Sequence, residues 1–171
     1  MTESPSLLSS VHEKLKQHFG EEVFSAEQSY DYPVFTVSKD RIIDILEFLF
    51  GDPQLQFRFL TTLCGMHFPH LEKSKQFGVV YMLHNLEKNT RIRLKIFLPA
   101  EKPEVYTASK LFACADWMER ETFDFYGIRF TGHPNLIRIL NMEDMVPHPM
   151  RKDFPLEDQR REDKEDAMFG R

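Results

Sequence analysis

The feature that most restricts the fold is the run Arg91-Ile92-Arg93-Leu94-Lys95-Ile96-Phe97-Leu98. Ile92, Leu94, Ile96 and Leu98 alternate with Arg91, Arg93 and Lys95, so an extended backbone puts the aliphatic side chains on one face and the cations on the other. A helix would scatter the same residues round its axis. The run therefore asks for a sheet with one dry face and one wet face. Phe77 to Leu86 is a second strand-like run, and Glu87-Lys88-Asn89-Thr90 between them has the length of a hairpin connector.

The remaining segments fit around this pair. Ser4-Pro5 reads as an N-cap with proline at the first helical position; Leu8, Val11, Leu15 and Phe19 then recur at helical spacing up to Gly20. Val23 to Gln28 and Val34 to Val37 are short strands separated by a Tyr30-Asp31-Tyr32-Pro33 turn. Asp40 is placed to cap a second helix with Ile42, Ile45, Leu46 and Leu49 on its buried face, ended by Gly51-Asp52-Pro53. Phe57, Phe59, Thr61 and Leu63 alternate with Arg58, Leu60, Thr62 and Cys64 as a third strand, and Gly65 to Gln76 reads as a loop. A third helix carries Leu111, Ala115, Met118, Thr122 and Phe125 on one face, with Gly127 as its C-terminal cap. The order α-β-β-α-β-β-β-α predicts an α+β fold: a mixed, largely antiparallel sheet with helices packed on it, followed by an extended C-terminal arm.

The predicted units are an α+β globular domain over residues 1–127, an arm over 128–156 and a charged, mobile tail over 157–171. Between Glu157 and Asp166 the chain has six acids, three bases and no apolar residue. The arm is rich in proline and glycine, yet it keeps aromatic and branched side chains that a free tail would not expose. Such a segment is expected to lie on a surface. With a net charge of −5 and interspersed signs, nucleic acid is not the expected partner. No apolar run has membrane-spanning length, and the N-terminus resembles neither a signal nor a transit peptide. Cys64 and Cys114 are too few for a conventional iron–sulfur cluster and are expected as buried reduced thiols.

The densest set of ionisable groups is Asp116, Glu119, Arg120, Glu121 and Asp124 on the third helix. One reading makes them a salt-bridged surface, with Asp116–Arg120 and Arg120–Asp124 paired at i,i+4. Acids at a helix C-terminus oppose the macrodipole, so Glu121 and Asp124 need compensation. Arg138, Arg151 and Lys152 folding back from the arm are the expected source. A second reading takes Glu121, Asp124 and His133 as metal ligands or acid–base groups of a stand-alone enzyme. His67 and His70 lack further ligands at zinc spacing. No phosphate loop or nucleophile elbow is present.

Trp117-x-Glu119-Arg120-Glu121-x-x-Asp124-x-x-Gly127-Ile128-x-Phe130, then Gly132-His133-Pro134-x-Leu136-x-Arg138-Ile139-Leu140, then Arg151-Lys152-Asp153-Phe154-Pro155-Leu156 closely resembles the C-type subunit of proton-translocating NADH–quinone oxidoreductase, respiratory complex I. Ile137 stands where that family commonly has arginine, Met150 in a usual leucine position and Tyr126 in a usual phenylalanine position. The resemblance implies a non-catalytic peripheral-arm subunit, with no catalytic, cofactor or metal residue of its own. It would support electron transfer from NADH to quinone, coupled to proton translocation, in a complex using FMN and iron–sulfur clusters. The implied partners are the D-, B- and I-type subunits, with indirect membrane contact on the cytoplasmic side of a bacterial inner membrane. Glu119, Arg120, Glu121, Asp124, Gly127, His133, Pro134, Arg138, Arg151, Lys152, Asp153, Phe154 and Pro155 are the expected structural and partner-binding residues. An equivalent subunit of a ferredoxin- or hydrogenase-type membrane complex is the near alternative.

Overall fold

A computed structural model describes residues 7–21, 24–29 and 32–155. The expected Ser4-Pro5 cap, Val23, the turn residues Tyr30 and Asp31, Leu156 and the tail over 157–171 lie outside the described residues. Helix α1 spans Leu7–Phe19, and strands β1 (Phe24–Ser29) and β2 (Tyr32–Val37) follow. After a 3-10 turn come α2 (Ile42–Gly51), β3 (Phe59–His67), β4 (Phe77–Asn85), β5 (Thr90–Leu98), β6 (Glu104–Tyr106), α3 (Ala115–Tyr126) and β7 (Arg129–Thr131).

Five strands form one sheet in the order β1-β2-β5-β4-β3. All its pairs are antiparallel except β2 with β5. The fold is α+β with a mixed, mostly antiparallel sheet, as the alternation in 91–98 requires. On β5 the alternation resolves as read: Ile92, Leu94, Ile96 and Leu98 are fully buried, while Arg91, Arg93 and Lys95 are only half-buried. The inward residues share one core with Val11 and Leu15 of α1, Ile42, Ile45, Leu46 and Leu49 of α2, and Ala115 of α3. Burial of each such aliphatic side chain is worth about 1.5–3 kcal/mol.

Several expectations are corrected. Asp40 does not cap α2; it sits inside the 3-10 turn Lys39–Arg41, and the N-cap position is Arg41, without a side-chain cap bond. The third strand begins at Phe59 and runs on to His67, so Gly65, Met66 and His67 are strand residues. A register shift between Leu60 and Thr62 inverts the phase, so Leu60 and Leu63 are both buried while Phe59 is exposed; an inserted residue does this and leaves no mark in the alternation. Leu111 precedes α3. The parallel pair β6–β7, too short to read from sequence, was not expected. Cys64 and Cys114 are free as expected, but both are exposed rather than buried.

Helix α3 protects the free edge of β3. The Leu63 N–H donates to the Met118 sulfur at 3.2 Å, and the Cys114 thiol donates to the Leu60 carbonyl. An edge strand with unpaired backbone groups invites pairing with another chain, and a covering helix removes the opportunity. The approach is close at Gly65, where a Cβ would stand 2.6 Å from a Tyr126 ring carbon and 2.8 Å from the Thr122 methyl.

Candidate partner-binding site

Helix α3 ends at Gly127, whose φ of 74° is the left-handed conformation glycine adopts without cost. The last four carbonyls of a helix have no partner within it. Here each has one. The Phe123 carbonyl takes the Gly127 N–H at 2.8 Å. The Asp124 carbonyl takes Arg138 Nη1 at 3.0 Å and His148 Nδ1 at 2.9 Å. The Phe125 carbonyl takes the Met150 N–H, and the Tyr126 carbonyl takes Arg151 Nε at 2.7 Å. Three of the four caps come from the segment after residue 137, which is thereby wound back onto the helix.

The Asp124 side chain holds the same segment from the other side. Its Oδ2 accepts the backbone N–H groups of Ile139, Leu140 and Asn141, at 2.9 to 3.1 Å. Its Oδ1 accepts Arg138 Nη1 at 2.6 Å and Asn141 Nδ2 at 2.9 Å. The carboxylate has no exposure. Burial alone would raise its pKa, but the Asn141 backbone and side chain, the Leu140 N–H and the Arg138 guanidinium outweigh that and hold it well below the usual carboxylate range. The acid that would oppose the helix dipole is thus compensated, as the sequence requires. Arg138 Nη2 reaches on to the carbonyls of Val146 and Pro147.

Glu119 occupies the opposite end of the same cluster. It was expected on a helix surface and instead is fully buried. It accepts Thr107 Oγ1 at 2.5 Å and the Ala108 N–H at 2.7 Å. Burial lifts its pKa to about 7 against these two bonds, and neighbouring Asp116 adds to the rise. His133, with no side-chain exposure, points Nε2 at the Asp116 carbonyl (3.1 Å) and carboxylate (3.2 Å), while Nδ1 accepts the Asn135 N–H. A backbone donor on Nδ1 leaves the ring proton on Nε2. The helical i,i+4 pairs expected through Arg120 do not form. Arg120 instead donates to the carbonyls of Ile137 and Arg138 and lies 5.2 Å from the Trp117 ring centroid.

The remaining expected residues are distributed as follows. Glu121 is exposed and, among the described residues, has no hydrogen bond or ion pair, so the arm's cations do not reach it. Arg151 lies 4.9 Å from the centre of the Phe77 ring. The Lys152 side chain is exposed and only its N–H is engaged, with His67 Nδ1 at 3.0 Å. His67 stacks on Phe77, and its pKa is lowered by burial, opposed by Asp153 at 3.8 Å and helped by Arg151. Phe154 is half-buried; Pro134, Asp153 and Pro155 are exposed. Thr107, Ala108, Asn141, His148 and His67 complete the cluster; none was among the expected partner-binding residues, and His67 was weighed only as a zinc ligand. Their only sequence signal was proximity to the arm's motifs, or, for His67 and His148, being histidines.

The metal-site alternative fails on this geometry. Every acceptor direction of Asp124 is taken by an N–H, Glu121 faces solvent, and His133 turns to Asp116. Among the described residues no group of three or more His, Cys, Asp or Glu side chains is arranged to hold a metal ion; where His133 meets Asp116 and Glu119, its Nε2 faces both carboxylates. What the arrangement does is hold a backbone in a fixed, irregular path. On that path the large apolar side chains Ile137, Leu140, Met142, Val146 and Met150, with Trp117 beside them on α3, are 46 to 85% exposed.

Comparison with known proteins converges on one family. Residues 35–160 match the family described as respiratory-chain NADH dehydrogenase, 30 Kd subunit. A C-type NADH-quinone oxidoreductase subunit from Roseiflexus sp. is 46% identical over 132 residues, covering 77% of this chain and 74% of the relative. The protein of the same name from Citrifermentans bemidjiense is 38% identical over 149 residues, covering 87% and 90%. Among solved structures, a trypsin-resistant fragment (1–134) of Nqo5 superposes with a TM-score of 0.65 at 24% identity, over 75% of this chain and 98% of the fragment. A chain of an archaeal membrane-bound sulfane sulfur reductase superposes with a TM-score of 0.71 at 22% identity, over 86% and 85%. At these identities the two structures speak for the fold alone.

Proposed function

This chain belongs to the 30 Kd subunit family of respiratory-chain NADH dehydrogenase, the C-type subunits of NADH–quinone oxidoreductase, and from that membership we propose that its arm is the docking element by which it joins the peripheral arm of the complex. The observation that carries the reading is the exposed apolar set of Trp117, Ile137, Leu140, Met142, Val146 and Met150 on a backbone tied down by Asp124, Arg138 and Arg120. Residues of this kind, outside a core that is already complete, mark a protein interface. Preordering by the Asp124 clamp also removes much of the conformational entropy that a free arm would lose on binding, on the order of 1–2 kcal/mol per residue.

In this reading residues 132–155 form the working part of the arm. Ile128 and Phe130 are in the chain's own core and β7 pairs with β6, so the first residues after α3 anchor it. The D-type subunit is the primary partner, with the B- and I-type subunits nearby. The chain supports transfer of electrons from NADH to quinone without holding FMN or a cluster itself. No helix among the described residues is long and apolar enough to cross a membrane, which suits a peripheral position; the cytoplasmic side is part of the proposal.

A tagged copy retrieved from mildly solubilised membranes is expected to bring a large assembly that oxidises NADH with a soluble quinone. Trp117→Asp combined with Leu140→Asp should leave the fold intact and lose the assembly. Recovery of the tagged chain alone, or retention of the double variant at wild-type level, would overturn the reading.

A further inference from the structure

The helices cover one face of the five-stranded sheet. The other face is crossed by Arg91, Arg93 and Lys95 on β5, and among the described residues no acid stands beside them in the strand register. On a sheet face the cross-strand neighbours decide whether a charge is compensated. On β4 these are His84, Met82 and Val80; on β2, Val34 stands beside Arg93 and Thr36 beside Lys95. None is an acid. Along the register the first strand carboxylate on this face is Glu27, beyond Val34 on β1, and on the other side Cys64 of β3 feels both Arg93 and Glu121 of α3. Among the described residues no ion pair involves any of the three cations. Arg91 Nη1 lies 3.4 Å from the Tyr32 hydroxyl, and its buried Nε has no partner. Lys95 Nζ lies 4.6 Å from the Phe97 ring centroid and 5.5 Å from that of Phe68.

Three like charges at alternate strand positions stand roughly 7 Å apart in a line and repel one another. The surface between them is apolar: Val34 stands beside Arg93 and Val80 beside Lys95, and both valines are buried. This is a local inversion of sign in a chain whose net charge is −5. We propose that this stripe is a second docking surface, separate from the arm, and that its occupant is an acidic segment of another protein of the assembly. An extended segment with Asp or Glu at alternate positions matches the repeat of the stripe, carboxylate against cation. Its apolar positions would lie on Met82 and Val80. The proposal rests on membership of an assembly, and on nothing about the arm.

The test is zero-length carbodiimide coupling of the purified assembly. The reagent condenses an amine with a touching carboxylate, with loss of water, and mass spectrometry of the digest identifies the joined residues. Lys95 is expected to be joined to an Asp or Glu of a different protein. The Arg93→Glu, Lys95→Glu double variant should show roughly tenfold weaker retention at moderate salt, and Arg93→Gln, Lys95→Gln a smaller loss. Coupling of Lys95 only to acids of this same chain would overturn the proposal, because the stripe would then be covered from within. So would a Lys95 that remains open to a water-soluble acylating reagent in the intact assembly. If the tagged chain retrieves no assembly at all, the proposed function fails first; if it retrieves one and Lys95 is free, only the stripe fails.

Discussion

Replacing Asp124 by asparagine tests the clamp directly. The carboxylate accepts five N–H groups, three from consecutive backbone positions and one from a guanidinium. An asparagine keeps the shape and one oxygen, but its NH2 must then face donors on one side. With the oxygen toward Ile139, Leu140 and Asn141, the amide opposes Arg138 Nη1 and Asn141 Nδ2. Arg138 is left nearly buried without its counter-charge. Breaking a buried pair in this way costs about 3–5 kcal/mol, and the cost falls on the arm, because all five donors to the carboxylate belong to residues 138–141. The population of the opened arm should rise at least a hundredfold, since each 1.4 kcal/mol is a factor of about ten. Trypsin cleavage after Arg151 and Lys152 reports that population when reclosing is fast. The expected result is a hundredfold faster arm cleavage with a small change in global unfolding. Glu121→Gln, on the exposed side of the same helix, is the control and should change neither. Equal cleavage rates for Asp124→Asn and wild type, or an equal effect of Glu121→Gln, would refute the reasoning. The sign with pH follows from the depressed folded pKa: the clamp contributes fully above the unfolded value of about 3.9 and is lost only as the pH falls well below it.

The other consequences are briefer. Glu119 has a folded pKa raised to about 7, so its contribution is fully present below about pH 4.5 and is lost as the pH rises towards 7; Glu119→Gln should flatten about 3 kcal/mol of that fall, read by denaturant unfolding across the range. His67 and His148 have folded pKa values lowered by burial, and His67 accepts the Lys152 N–H on Nδ1. Arm protection against hydrogen exchange should therefore be full above about pH 6.5 and weaken below it, and His67→Gln should remove part of that dependence. Gly127→Ala puts a Cβ 2.5 Å from Arg151 Nη2 and 2.6 Å from His148 Nε2 at a φ of 74°; a loss of at least 1–3 kcal/mol is expected, with faster arm cleavage. Gly65→Ala should cost about 1–3 kcal/mol in global unfolding by overpacking against Tyr126.

The sequence by itself determined the sheet. Period-two alternation in 91–98 has one solution, and the buried stripe Ile42, Ile45, Leu46 and Leu49 came out residue for residue because a helix face is a local property. The helix dipole, also a local property, pointed to cations from the arm for the acids at the end of α3; Asp124 receives one and Glu121 does not. The sequence did not determine which cation met which acid. Arg138 reaches Asp124, Arg151 caps a carbonyl, the Lys152 side chain stays in solvent and Glu121 is left unpaired, because those choices depend on the path of a segment with no periodicity. Glu119 could not be told from its charged neighbours: only the position of Thr107 and Ala108, brought in by the β6–β7 pair, makes its burial tolerable. The register shift in β3 and the three unanswered cations of β5 were equally out of reach. A strand's alternation says which side chains share a face, and only the assembled sheet says what stands opposite them.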